Sequence, residues 1–236
     1  MNANAAAAVA GAVSRRVSDA LSRKSPALIL GGDCSIEIGT VAGTLTQSKN
    51  VGLIYVDLDV DLNTPDSTTD GALDWMGVAH LLGVNGSLPA LAALGPRMPM
   101  LGPDDVLFFA HDNVTEPERE IINTCGIAER PLSQVRNDPS GAAQSVLQTW
   151  AHNFELLLVH LDVDVLDYLD MPLAENVRRN VGLRFSQLME AMDVFLTAPN
   201  FAALTVCELN PDHGAADRST LMTFNDALGR WLAKSV

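Results

Sequence analysis

Positive charge is scarce in this chain: 15 Lys and Arg stand against 29 Asp and Glu, a formal net charge of −14 over 236 residues. That deficit excludes nucleic acid and anionic membrane surfaces as partners, because both demand a basic face. A small cationic ligand suits it better. No run of eighteen apolar residues occurs, so no membrane span is expected, and the Ala-rich opening lacks the early positive charge and long apolar core of a signal peptide. Cysteine is sparse as well. Cys34, Cys125 and Cys207 are odd in number and widely spaced, which argues for free thiols in a reducing cytoplasm rather than a disulfide framework.

What is present is apolar and ordered. Hydrophobic residues make up 47% of the chain, enough for one large core, and nothing divides residues 1–236 into more than a single domain. Val9, Val13, Val17 and Leu21 recur at a spacing of four within residues 4–24, which predicts a helix with that face buried. Apolar stretches at 26–30, 51–56, 106–109, 155–159 and 201–206 read as strands, each followed by a helical pattern. Alternating strands and helices imply an α/β fold of three layers, α/β/α, around a mostly parallel central sheet. Sites in such sheets lie beyond the carboxyl ends of the strands.

Two acidic runs fall there, Asp57-Leu58-Asp59-Val60-Asp61 and His160-Leu161-Asp162-Val163-Asp164. Strand alternation projects Asp57, Asp59 and Asp61 together, and likewise His160, Asp162 and Asp164. Carboxylates converging at a sheet rim repel one another by several kcal/mol unless a cation neutralises them. One such run reads equally well as the N-cap of the next helix. Two of them in one chain favour a divalent metal, or a pair, and oxygen ligands point to manganese, magnesium or calcium.

Four ordered motifs carry a resemblance: Gly31-Gly32-Asp33-Cys34-Ser35, Asp57-Leu58-Asp59-Val60-Asp61, His160-Leu161-Asp162-Val163-Asp164-Val165-Leu166-Asp167 and Glu208-Leu209-Asn210-Pro211. From Gly31 to about Pro211 the chain resembles the ureohydrolases, the family of arginase, agmatinase and formiminoglutamase. The resemblance implies an arginase-like three-layer fold and two divalent metal ions, most often Mn2+. It also implies hydrolysis of a guanidino or related amidine C–N bond, with release of urea or a substituted urea. By the same resemblance Asp57 and Asp162 bridge the ions, Asp61 and Asp164 complete their shells, and Glu208 holds the cationic end of a small guanidino substrate. Asn63, Thr68 and Asp70 fall where the substrate's far end is received, and an anion at Asp70 favours an amine tail, as in agmatine.

The chain departs from the family at three places. Cys34 and Asp59 stand at the two positions where the family carries metal-binding histidines, and the thiolate shifts preference toward Zn2+ or Fe2+. Asp74 stands where arginases carry a proton-shuttling His. A carboxyl there serves as general acid only if its surroundings raise its pKa. His160, in place of the family's Ser, and His213 are alternative donors, of which His160 is the better placed. A hydroxyguanidine, with its better leaving group, would need less acid help. The alternative reading is a catalytically silent homologue that binds metal or a cationic ligand. Relatives of this kind form homo-oligomers, and here that state is open. Of the remaining residues, His80 reads as packed, His152 as surface and Cys207 as core on the face opposite Glu208. Asp112, Glu116 and Glu118 read either as a helix start or as contacts for a substrate amine.

Overall fold

A computed structural model gives residues 2–68 and 70–234. Six strands, β1 (Ala27–Leu30), β2 (Val51–Val56), β3 (Val106–Phe109), β4 (Ala128–Arg130), β5 (Leu156–Asp162) and β6 (Phe201–Cys207), form one sheet in the order β1-β6-β5-β2-β3-β4. Every pairing in it is parallel. The helices are α1 (Ala3–Ser22), α2 (Glu37–Thr44), α3 (Gly77–Leu82), α4 (Pro89–Ala92), α5 (Glu116–Cys125), α6 (Leu132–Val135), α7 (Pro139–Thr149), α8 (Phe185–Phe195) and α9 (Ser219–Lys234).

All residues of β2 and β3 are buried, as unbroken apolar runs in a sheet covered on both faces require. Side chains alternate between two cores. Ile54, Val56, Val159 and Leu161 pack with Val146, Leu188, Phe195 and Trp231 from α7, α8 and α9. Leu53, Tyr55, Leu158 and Ala203 pack with Val17, Ile38, Val41 and Leu81 from α1, α2 and α3. From β2 the chain runs outward through β3 and β4, while β5 and β6 lie on its other side. The strand order therefore reverses between β2 and β5, the crevice where open α/β sheets place ligands.

The expected strands are all present, with two differences. β5 continues to Asp162, so His160 and Asp162 sit inside the ladder. β4 has no apolar run to announce it: Glu129 and Arg130 lie on an edge strand that buries little. Within α1, Val17 is buried but Val9 is 56% exposed, and Ala10 takes its place in the core. A spacing of four overshoots the 3.6-residue turn by about 40° each time, so four valine and leucine positions sweep around the helix.

Ala10 is buried because α1 and α2 touch backbone to backbone. A Cβ on Gly39 would stand 2.4 Å from the Ala10 carbonyl oxygen, and one on Gly43 would stand 2.4 Å from that of Ser14. By contrast, nothing lies within 4 Å of the position a Cβ would take on Gly229 of α9. We expect Gly39→Ala to cost about 1–3 kcal/mol through this overlap, and Gly229→Ala to gain roughly 0.5–1 kcal/mol. Thermal denaturation of the two variants checks this; equal shifts would contradict the close approach of α1 and α2.

Candidate metal centre

The site grows from the sheet register. Tyr55 pairs with His160, and His160 with Thr205 one strand further on; Asp162 pairs with Cys207. Residues opposite one another in a ladder share a face, so His160, Asp162 and Cys207 all point toward α2. There the Gly31-Gly32-Asp33 turn delivers Cys34. Asp33 caps a short turn by accepting from the Ser35 backbone N–H at 2.9 Å, and this fixes Cys34 inward, 1% exposed.

Cys34 is the hub. Its Sγ donates to Asp162 Oδ2 at 3.0 Å and lies 3.3 Å from His160 Nε2. The other ring nitrogen of His160, Nδ1, is 3.2 Å from Glu37 Oε2. Asp57 sits across from Asp162 at the end of β2. Its Oδ1 accepts from the Asp59 N–H at 2.9 Å, whereas its Oδ2 is buried without a partner among the described residues. Ligand atoms of Cys34, Asp57 and Asp162 lie within 4.8 Å of one another, as do those of Cys34, His160 and Cys207.

The remaining predicted ligands are engaged elsewhere. Asp61 accepts from the Tyr55 hydroxyl. Asp164 accepts from the Asn176 side chain and, at 3.4 Å, from its backbone. Asp59 leaves the cluster: it faces Asn113 and the Arg178 guanidinium, the latter at 2.8 Å. Arg178 also feels the charges of Asp164 and Asp57. A guanidinium and two amides thus hold Asp59 and Asp164, two of the ligands that the resemblance implies.

Asp61 and Glu208 adopt left-handed backbone, with φ of +50° and +58°. That conformation costs a non-glycine residue roughly 1–2 kcal/mol. Backbone hydrogen bonds on neighbouring segments hold both in place: Glu208 N–H to Gly32 O at 2.9 Å, Glu175 N–H to Glu208 O at 2.8 Å, and Ala79 N–H to Asp61 O at 3.0 Å. Glu208 and Asp74 are half-buried at the rim.

Several of the candidate groups are engaged away from the cluster's open side. His160 is fully buried with both ring nitrogens engaged, so it cannot carry protons to a substrate. Thr68 and Asp70 bond to each other at 2.7 Å near the surface. Asn63 is turned inward, 3% exposed, and accepts from the Ser67 hydroxyl. His213 is held on the Ala174 carbonyl at 2.9 Å. Glu118 closes the first turn of α5 by accepting from Thr115 and reaches back to the Leu62 N–H. His80 is packed and bonded to the Met76 carbonyl.

Several participants escaped the sequence reading. Cys207 was expected in the core, which it is, but it faces the cluster. Glu37, 1% exposed on an apolar helix, carried a signal in that isolation. Arg178, in a loop with no periodicity, carried none beyond the rarity of basic residues.

Burial pushes the carboxyls of Asp57, Asp61 and Asp162 well above the usual range, and mutual repulsion adds to it. Burial likewise raises the Cys34 thiol, with Cys207 and Asp162 adding to the shift. Asp164 is pushed up to about 6 by burial. Glu208 is pushed up to about 8, first by burial and then by the charges of Asp164, Asp74 and Asp33. Asp74 is raised, again first by burial.

A family model described as the arginase family matches residues 1–231. The chain belongs to the arginase family. It is 30% identical over 205 residues to an arginase of Bacillus subtilis, covering 85% of this chain and 68% of that one. It is 27% identical to human arginase-1, covering 87% of this chain and 65% of that one. The chain therefore spans about two thirds of the length of these relatives. A crystal structure of arginase from Bacillus cereus superposes with a TM-score of 0.88 at 26% identity, covering 98% of this chain and 79% of that one.

Arginase-family resemblance led us to expect two ions, and the residues present fit one better. The orphaned Asp57 oxygen, the Cys34 thiol and Asp162 form a donor set that suits one cation. Asp59 and Asp164, by contrast, have protein donors in place.

The raised carboxyls fix the sign of a pH effect in the metal-free protein. Each binds its proton more tightly when folded, so the folded chain holds more protons and loses stability as pH rises. The loss begins near the unfolded carboxyl pKa of about 4 and continues to about 8, where Glu208 ionises. We expect the chelated protein to melt lower at about pH 8.5 than at about pH 5.5, and divalent metal to remove most of the difference. A melting temperature that climbs over that interval without metal would contradict the buried acidic cluster.

Proposed function

We propose that this chain is a hydrolase of a guanidino or related amidine C–N bond, releasing urea or a substituted urea, and that it works with one divalent ion held around Cys34, Asp57 and Asp162. The observation that carries this reading is Asp57, whose buried Oδ2 has no partner among the described residues and whose carboxylate groups with a thiol and a second carboxylate at the strand-order reversal. A divalent ion at such a position supplies a water of lowered pKa near neutral pH, which a resonance-stabilised guanidinium carbon requires.

The chain's own residues do the rest. Glu208, at the rim and proton-loving while the site is empty of cations, ionises when a guanidinium arrives and accepts its N–H groups in charge-assisted hydrogen bonds. Asp74, whose pKa burial raises, stands at the rim as the proton donor to the departing amine. The charges of Asp164, Asp74 and Asp33 all act on Glu208, so the rim attracts a cation as a group. Arg178, held on Asp59, offsets one negative charge inside without occupying the rim. An amine-tailed substrate of the agmatine type suits the excess of acid, since a carboxylate tail would be repelled.

A second reading, a silent homologue, draws support from the same Arg178 and Asn176 contacts, because they satisfy carboxylates that a two-ion site would need free. One assay separates the two. Metal-loaded protein is offered arginine, hydroxyarginine, agmatine and guanidinobutyrate, and urea or substituted urea is measured. We expect release from at least one of them, and Asp162→Asn to abolish both metal binding and release. Metal binding with no turnover on any member favours the silent reading; full activity of Asp162→Asn would show that the site lies elsewhere.

A further inference from the structure

Cys207 and His160 play no part in the chemistry above, yet both face the buried space around Cys34. Ligand atoms of Cys34, His160 and Cys207 lie within 4.8 Å of one another, and all three residues are buried. The register of β5 against β6 sets Cys207 opposite Asp162, two residues beyond His160 and on the same face. Glu37 then fixes the imidazole: its Oε2 engages Nδ1 at 3.2 Å and leaves Nε2 aimed at Cys34 Sγ, 3.3 Å away. A carboxylate on the remote ring nitrogen is the support that metal-ligating histidines carry, because it selects the tautomer with a free lone pair at Nε2. Tyr55 clamps the ring plane by parallel stacking, with centroids 4.1 Å apart. Asp57, whose buried Oδ2 has no partner among the described residues, borders the same thiol through the second cluster that contains Cys34.

We propose that Cys34, Cys207 and His160 form a three-ligand thiolate and imidazole centre for zinc, with the fourth position on the side of Asp57 and Asp162. The proposal deepens the single-ion reading and rests on it, by naming the metal and two of its ligands. Two thiols each release a proton on binding, and their two negative charges balance the two positive charges of the ion. Thiolate donors select zinc over manganese or magnesium, which prefer oxygen. Three protein ligands and one open position make the arrangement suited to holding a water or a substrate atom, whereas a fourth protein ligand would close it. In this account Asp57 and Asp162 border the open position and orient what binds there.

The test is zinc K-edge X-ray absorption on the full chain loaded with one equivalent of zinc. We expect two sulfur scatterers at about 2.3 Å and the remaining scatterers to be nitrogen or oxygen at about 2.0–2.1 Å. Cys207→Ser lowers the sulfur count to one. Glu37→Gln keeps the count at two and weakens zinc binding about 10- to 100-fold. The wild-type spectrum alone decides the matter if a variant fails to fold. Zinc bound with one sulfur in wild type overturns this proposal and leaves the single-ion reading standing, whereas zinc bound with no sulfur overturns both, because that reading also places Cys34 at the ion. Failure to bind zinc, manganese or iron at all overturns both.

Discussion

Uncompensated negative charge, buried where β2 and β5 end, is the constraint on which the rest of this molecule depends. Asp57, Asp61, Asp162 and Asp164 are all 5% exposed or less, and no amount of apolar packing offsets several anions in that volume. The protein meets the problem in three ways. Tyr55 and Asn176 donate hydrogen bonds to Asp61 and Asp164. Arg178 brings a guanidinium against Asp59. Burial raises the pKa of the carboxyls that remain, which favours their neutral form. What these measures leave is the Asp57 oxygen beside Cys34 and Asp162, and a bound cation is the remaining means of satisfying it.

The scaffold explains why the charge can be gathered at all. A parallel sheet brings all its strand ends to one edge, so residues about a hundred positions apart in sequence, such as Asp57 and Asp162, become neighbours. The apolar strands below supply the burial that offsets the local cost. The left-handed backbone at Asp61 and Glu208 is a further expense at the same edge, held by hydrogen bonds from Ala79 and to Gly32. Charge is thus concentrated where binding is proposed, and two of the chain's left-handed non-glycine residues lie at the same edge.

Much of this was legible in the chain itself. β2 and β3 could be read to the residue because a strand buried on both faces is an unbroken apolar run with polar residues at its end. The carboxylates of the site announced themselves by alternating after such runs. β4 was not legible, since an edge strand containing Glu129 and Arg130 has no apolar pattern to show. Arg178 was not legible either: its role comes from where a loop folds back, which no local period encodes. Strand alternation also misled at Asp59. The chain leaves the ladder after Val56, so strict alternation no longer governs where that side chain points. The departures from the family pattern at Cys34 and Asp59 become intelligible together once Cys207, His160 and Arg178 are seen beside them.

On the proposed reading, the Arg178 guanidinium on Asp59 stands in for one of the two metal ions that the family resemblance implies. Native mass spectrometry of the protein, saturated in turn with zinc and with manganese and freed of loosely bound salt, tests it most directly. The account predicts one tightly held ion per chain. Two ions per chain, with Arg178 displaced from Asp59, would contradict it.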